Sequence, residues 1–142
     1  MKGKKRIFIT GCTGTMGSQT LKALLQRSDR FLVRALVLDT HKERLKMAAY
    51  KNRQNLEVVF GDMRHAGLIE RCIRDVQVVL HIGALVSPMA DKHPGSCMDV
   101  NYGSTVNIIN AIIGTIRSRG CPFLEIGRLL KSSPGGVASL SS

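Results

Sequence analysis

Short apolar runs alternate along the chain with longer stretches whose apolar residues recur at helical spacing. Residues 7–10 read as a strand, and residues 18–26 follow with Leu21, Leu24 and Leu25 on one helical face. Residues 32–38 predict a second strand and residues 42–51 a charged helix. Residues 56–60 predict a third strand, closed by Gly61 and Asp62, and Leu68, Ile69, Cys72 and Ile73 mark one face of a third helix. Residues 76–82 are almost uninterruptedly apolar, as expected of a strand covered on both faces. Ile109, Ile112, Ile113 and Ile116 form an i, i+3, i+4, i+7 stripe on a long fourth helix. Four strand–helix units in strict order predict an α/β fold, a doubly wound parallel sheet with right-handed crossovers.

Near residue 115 the pattern decays. Ser118, Gly120 and Pro122 break the last helix, and residues 123–126 read as the stub of a fifth strand. Residues 131–142 are Ser/Gly-rich without apolar period and are expected to be disordered. The expected division is therefore a half-domain over 1–116, truncated after about four strand–helix units, and an irregular tail over 117–142.

Composition supports this picture and removes several alternatives. With 44% hydrophobic residues, no Trp, two Tyr and four Phe, the core must be aliphatic. No apolar run approaches the roughly 18 residues of a membrane span, and the basic N-terminus precedes a strand rather than a signal-peptide core. No membrane partner and a cytoplasmic location are expected. Cys12, Cys72, Cys97 and Cys121 form neither a C-x-x-C pair nor a metal-spaced set with His, so neither a disulfide framework nor a metal site is expected. The net charge of +11 comes from dispersed Lys and Arg without interleaved aromatic rings. Attraction toward an anionic small molecule accounts for it more economically than nucleic-acid binding.

The candidate chemistry lies in a glycine triplet. Gly11, Gly14 and Gly17 fall between the first strand and the first helix. In such a loop the first glycine permits a tight turn, the second lets backbone approach a pyrophosphate, and the third lets helix pack on strand. Free N–H groups at the helix start would face the phosphates. Cys12 sits near that start, where a reactive thiol is conceivable but a variable loop slot is the simpler reading. Asp39 stands 22 residues after Gly17, where a carboxylate accepts from the adenosine ribose and favours NAD over NADP; capping the following helix is its other reading. Arg34, Lys42 and Arg44 leave a 2′-phosphate partner open. Asp62 suits either an adenine amino group or a helix cap, and His81 is expected to be a satisfied core histidine.

These residues resemble the extended short-chain dehydrogenase/reductase family of NAD-dependent epimerases, dehydratases and related reductases. The resemblance rests on T-G-x-x-G-x-x-G at 10–17, G-D-M at 61–63, V-L-H-I-G-A at 79–84 and N-Y-G-S-T-V-N at 101–107, and covers about residues 5–114. It implies an NAD(P)-binding Rossmann fold. The dinucleotide would be bound by Gly11, Gly14, Thr15, Met16 and Gly17, with Asp39 at the ribose and Asp62 and Met63 at the adenine. Ile82, Gly83, Ala84 and Leu85 would lie near the nicotinamide half, and Asn101 would support the site from the fourth helix. NAD is the expected cofactor, with NADP open. Gly83 stands where the family often has Ala, and Ser104 where Gly is usual. Leu38 stands where an NADP-reading Arg occurs in the branch with a similar second strand.

The family's Tyr-x-x-x-Lys pair is missing. Tyr50 is followed four residues later by Gln54, and Tyr102 by Val106. No catalytic residue is therefore assigned. The expectation is the NAD-binding N-terminal part of an enzyme acting on a nucleotide sugar or similar hydroxy/keto compound, from a truncated or frame-shifted product. A non-catalytic NAD(P)-binding module is the alternative. A small-molecule substrate is expected only in a longer parent, and self-association through an exposed sheet edge is a further expectation.

Overall fold

The computed structural model of the chain describes residues 3–86 and 88–119. The fifth-strand stub, the Ser/Gly-rich tail and Cys121 lie outside the described residues.

Four strands, β1 (Lys5–Thr10), β2 (Phe31–Val37), β3 (Leu56–Phe60) and β4 (Val78–His81), form one parallel sheet in the order β3-β2-β1-β4. The helices α1 (Thr15–Leu25), α2 (His41–Ala48) and α3 (Ala66–Ile73) connect them in turn. After β4 the chain makes two short helices, α4 (Met89–Lys92) and α5 (Pro94–Met98). A π-helical turn (Asp99–Gly103) then leads into α6 (Ser104–Ser118). The strand-to-helix alternation thus gives the expected doubly wound α/β sheet.

Strand alternation divides the core into two layers. Ile9, Val33, Ala35 and Val37 point to one face, where Leu21 and Leu25 of α1 and Met47 of α2 cover them. Phe8 and Leu36 point to the other, against Ile69, Cys72 and Ile73 of α3 and Ile108 and Ala111 of α6. Apolar side chains on both faces are what a parallel sheet with helices on each side requires.

Local chemistry sets the element ends. Thr40 caps α2 by accepting the Glu43 N–H at 3.3 Å, so Asp39 is not the cap of this helix. Nor does Asp62 cap α3, whose N-cap is His65 with no side-chain bond. Asp62 instead accepts the Arg64 N–H at 2.9 Å and builds the turn leaving β3.

Two element readings need correction. β4 is shorter than its apolar run, because Val76 is buried in the turn after α3 rather than paired in the sheet. Among the described residues β4 pairs only with β1, so its residues are at most half-buried. On α6 the buried positions are Ser104, Ile108 and Ala111, while Ile109 is 49% exposed; the contact face is set one position back from the isoleucine stripe. The helix ends at Ser118, where the sequence pattern breaks. The short helices and the π turn had no periodic signal, being only four or five residues long.

Candidate functional site

The chain runs outward from β1 to β2 and β3, then returns through α3 to place β4 on the other side of β1. Loops leaving β1 and β4 therefore part in opposite directions, and a crevice opens above the carboxyl ends of the strands. A cleft of about 780 Å³ occupies this position.

Its floor is bare backbone. Gly11 has φ +71°, the left-handed conformation that glycine adopts without steric cost. A Cβ there would stand 2.4 Å from the Gly83 N atom, so the turns after β1 and β4 abut directly. A Cβ on Gly17 would lie 1.9 Å from the Gly11 carbonyl oxygen, which fixes how closely α1 approaches the turn. Gly14 differs, because a Cβ there would meet nothing nearer than 3.5 Å. The fold tolerates a side chain at Gly14, whereas Gly11 and Gly17 are held by packing.

Gly14 is also the N-cap of α1, and it provides no capping side chain. The first turn of α1 contains no acidic residue. Thr15, Met16 and Gly17 line the cleft, and as the first turn of a helix their N–H groups have no intrahelical acceptor and lie at the positive end of the helix dipole. This arrangement suits an anion.

A network of side chains fixes the opposite wall. The Thr10 hydroxyl accepts the Gly83 N–H at 3.2 Å and bonds His81 Nδ1 at 2.7 Å, while His81 Nε2 meets the Thr105 hydroxyl at 3.2 Å. Both ring nitrogens of His81 are thus satisfied, and burial lowers its pKa from the ordinary value. Asn101, carried by the π turn, accepts the Leu85 N–H at 2.7 Å and donates to the Leu85 carbonyl at 2.8 Å. It pins the loop after β4 at both polar atoms of one residue.

Of the thirteen residues singled out in the sequence, eleven line the cleft: Gly11, Gly14, Thr15, Met16, Gly17, Asp62, Met63, Ile82, Gly83, Ala84 and Leu85. Asn101 acts from behind through Leu85. Asp39 is not in the lining. Its carboxylate is engaged by Arg44, Nε to Oδ1 2.6 Å, with both side chains about half exposed. That hydrogen bond holds the Asp39 carboxyl below its ordinary pKa. Asp62 is likewise paired with Arg64 and titrates below its ordinary value, chiefly through the Arg64 hydrogen bond.

Arg34 is removed from the phosphate question. It is turned into the sheet's α3 side, where it reaches Glu57 at 2.8 Å, Asp75 at 2.6 Å and the Cys72 carbonyl at 2.7 Å. Cys12 is packed in the core beside α1, and burial pushes its thiol up to about 11, which makes it a poor nucleophile at neutral pH.

Sequence reasoning passed over Thr13, Thr40, Glu43, Lys46 and Arg64, which with Leu38 form the end of the cleft toward α2 and β3. Lys46 donates to the Thr13 carbonyl at 3.3 Å and to Glu43 Oε1 at 2.8 Å, tethering α2 to the glycine loop. Glu43 Oε2 is buried there without a partner among the described residues. Glu43 and Lys46 lie on the helix after β2, and the usable signal was their position three and six residues past the Thr40 cap.

The sequence model of the 3-beta hydroxysteroid dehydrogenase/isomerase family matches residues 8–116. The chain belongs to that family. The chain is also similar to enzymes of several kinds. The inverting UDP-N-acetylglucosamine 4,6-dehydratase of Campylobacter jejuni is 31% identical over 112 residues, which cover 78% of this chain and 33% of that enzyme. Human 3 beta-hydroxysteroid dehydrogenase type 7 is 29% identical over 112 residues, 76% of this chain and 29% of that protein. The chain thus spans about a third of the length of the curated relatives it matches. Among solved structures, Bordetella bronchiseptica WbmH in complex with NAD+ aligns at TM-score 0.63 and 25% identity, covering 77% of this chain and 35% of the other. Streptomyces venezuelae DesIV, a dTDP-glucose 4,6-dehydratase with NAD and TYD bound, has the same fold at TM-score 0.68 and 24% identity, covering 78% and 36%.

No helix among the described residues is long and apolar enough to cross a membrane. No group of three or more His, Cys, Asp or Glu among them could hold a metal ion.

Proposed function

We propose that the chain binds NAD in this cleft, as the dinucleotide-binding part of an epimerase, dehydratase or dehydrogenase. The observation that carries the proposal is Gly14. It is the glycine of the triplet that packing leaves open, and it stands where α1 presents its uncapped N–H groups. A glycine that the fold does not need, set at an anion-binding helix start, is explained by a ligand that approaches its backbone.

The residues fit the cofactor in parts. The N–H groups of Thr15, Met16 and Gly17 would hold the pyrophosphate. Leu38, Asp62 and Met63 would flank the adenine, and Ile82 to Leu85, fixed by Thr10 and Asn101, would wall the nicotinamide half. Bound NAD supplies the hydride acceptor for oxidation of a substrate's secondary alcohol. Nucleotide sugars and 3β-hydroxysteroids both carry such an alcohol, and the relatives' names favour the former as the substrate class of a longer parent.

One observation favours a second, non-catalytic reading for this chain alone. Neither tyrosine has a lysine four residues on, Tyr50 packs against the α1 side of the core, and Tyr102 is 66% exposed on the π turn. Such a chain would hold dinucleotide without turning substrate over. Calorimetric titration with NAD tests the first reading: the wild-type chain binds and Gly14→Val does not. Equal binding by both would remove the glycine loop from the site. Turnover of UDP-N-acetylglucosamine or UDP-glucose by this chain with NAD would overturn the second reading.

A further inference from the structure

The Lys and Arg residues are scattered along the sequence, but folding gathers them at one end of the molecule. In a parallel sheet every strand starts at the same end, and the helices between strands finish there. β1 is entered through Lys4, Lys5 and Arg6, and β2 is entered from the end of α1 through Arg27 and Arg30. Lys51 and Arg53 lead into β3, Arg74 follows α3, and Arg119 follows α6. Lys22, Arg71 and Arg117 occupy the last turns of α1, α3 and α6. Twelve of the eighteen described Lys and Arg thus stand opposite the cleft, eight of them Arg, and all but Arg6 are exposed.

Hydrogen bonds join these turns into one surface. The Lys5 N–H donates to the Arg30 carbonyl at 2.9 Å, and the Gln77 N–H donates to the Arg6 carbonyl at 2.9 Å. Asn55, buried before β3, donates to the Leu25 carbonyl at 3.4 Å. Arg119 donates to the Arg74 carbonyl at 2.8 Å. Few carboxylates answer these cations. Asp75 is engaged by Arg6 and Arg34, Glu57 by Arg34, and Asp29 lies in the turn between Arg27 and Arg30. Among the described residues Lys4, Lys5, Lys22, Arg27, Lys51 and Arg53 enter no ion pair.

The cleft end is balanced. Its five cations, among them Lys46 and Arg64, stand against five carboxylates, among them Asp39, Glu43 and Asp62. The net charge therefore does not serve the cleft, as the sequence reading expected, but lies at the far end. Helix dipoles favour the cations in the last turns, yet they leave those in the turns and before β1 without a local task. Like charges held this close repel one another, and an anion laid across the face relieves that repulsion.

The kind of cation and the shape of the face point to the anion. The planar fork of Arg matches phosphate oxygens in pairs. Gln26, Ser28, Asn52, Gln54 and Gln77, exposed among the cations, are uncharged donors of the kind that contact a nucleic-acid backbone. Four strands about 4.8 Å apart make this end roughly 15 Å across, enough to meet phosphates on both sides of a groove about 12 Å wide. Aromatic rings here are already engaged: Phe31 lies under the Arg30 guanidinium, 5.6 Å from the ring centroid, and Tyr50 packs against the core. Of the apolar side chains exposed enough to enter a bilayer, Met16, Leu38 and Val86 line the cleft instead.

We propose that the face opposite the cleft binds the phosphodiester backbone of duplex nucleic acid without reading its sequence. This binding is independent of the dinucleotide site.

Fluorescence anisotropy of a labelled duplex of about 20 base pairs, titrated with the chain over a salt series, tests the proposal. The Kd should be about 1–100 µM near physiological salt, and log K should fall against log salt with a slope of about −5, the value for about six neutralised phosphates. Arg27→Gln combined with Arg53→Gln should reduce that slope by about two. Lys42→Gln combined with Lys92→Gln removes the same charge at the cleft end and should leave the slope unchanged. All four residues are exposed, so neither pair endangers the fold. The proposal is overturned if the duplex binds no tighter than about 1 mM at about 50 mM salt, or if the two pairs lower the slope equally. Stronger retention by phosphatidylserine vesicles than by the duplex at equal salt would also overturn it, by assigning the face to a lipid surface.

Discussion

Placing one carbon atom at each glycine of the triplet should separate folding from binding. In Gly17→Ala the new Cβ would stand 1.9 Å from the Gly11 oxygen, 2.6 Å from its carbonyl carbon and 2.9 Å from the Cys12 Cα. All three are backbone atoms, so relief requires α1 to move off the turn. Overpacking of this kind costs about 1–3 kcal/mol, and immovable neighbours put the value at the upper end. For a chain of this length about 3 kcal/mol lowers the melting temperature by roughly 10 °C. Gly11→Ala combines a left-handed φ, itself worth about 1–2 kcal/mol, with a contact of 2.4 Å to the Gly83 N atom. It should be at least as damaging. Gly14→Ala is the opposite case. Its φ of −80° and ψ of 177° suit any residue, and the nearest atom is 3.5 Å away. Reduced chain entropy in the unfolded state contributes about 0.4–1 kcal/mol in its favour, offset by a similar loss because Ala is a poorer N-cap than Gly. Its melting temperature should stay within a few degrees of wild type. Thermal unfolding followed by circular dichroism, with and without NAD, measures both quantities. Gly14→Ala should melt like wild type yet gain no stability from NAD, while Gly17→Ala should melt far lower. Wild-type melting of Gly17→Ala, or full NAD stabilisation of Gly14→Ala, would refute the division of labour.

Further expectations follow from the walls of the cleft. Asn101→Ala leaves the Leu85 N–H unpaired and the Leu85 carbonyl with the Cys97 thiol alone; at about 1 kcal/mol per lost bond, exchange of the Leu85 amide should accelerate roughly fivefold or more, and unchanged exchange would mean that the clamp is not formed. His81 is held neutral by burial, so the unfolded chain binds the extra proton. Stability should be full above pH 6.5 and fall as pH drops through that value, the ordinary one for histidine. The same decline in a His81→Gln chain would assign it to other groups. With its thiol at about 11, Cys12 should resist alkylation at neutral pH, whereas Cys97, the most exposed of the three described cysteines, should react before it. Mass mapping after brief iodoacetamide treatment reads the order, and early loss of Cys12 would contradict its burial.

The sheet was legible because each strand–helix unit repeats one physical pattern, an apolar run followed by apolar residues at helical spacing. The cleft was legible where motif residues act through backbone. Gly11, Gly14 and Gly17 need no partner to be identified, since their lack of side chain is the feature. What stayed hidden depends on side-chain pairing across the fold. Nothing near Asp39 in the chain states that Arg44 turns back to take its carboxylate, or that Arg34 faces α3 to reach Asp75. The α6 face is a similar case. Four isoleucines outweigh Ser104 and Ala111 in any hydrophobic tally, yet the positions α6 buries are Ser104, Ile108 and Ala111, and Ile109 of the stripe is exposed.

The cross-strand bonds behind the cleft also set the order in which it can be assembled during synthesis. Thr10 and His81 are 71 residues apart, and His81 and Thr105 a further 24. The glycine loop thus leaves the ribosome long before the groups that hold its neighbouring wall. At about 5–20 residues per second, the wait from Thr10 to Thr105 is roughly 5–20 s. During that interval β1 and α1 can form, and Thr10 can take the Gly83 N–H once residue 83 has emerged, but Leu85 and His81 still lack Asn101 and Thr105. A pause placed between residues 81 and 105 would prolong an open state, and a dinucleotide could stabilise the nascent chain only after Asn101 and Thr105 had emerged.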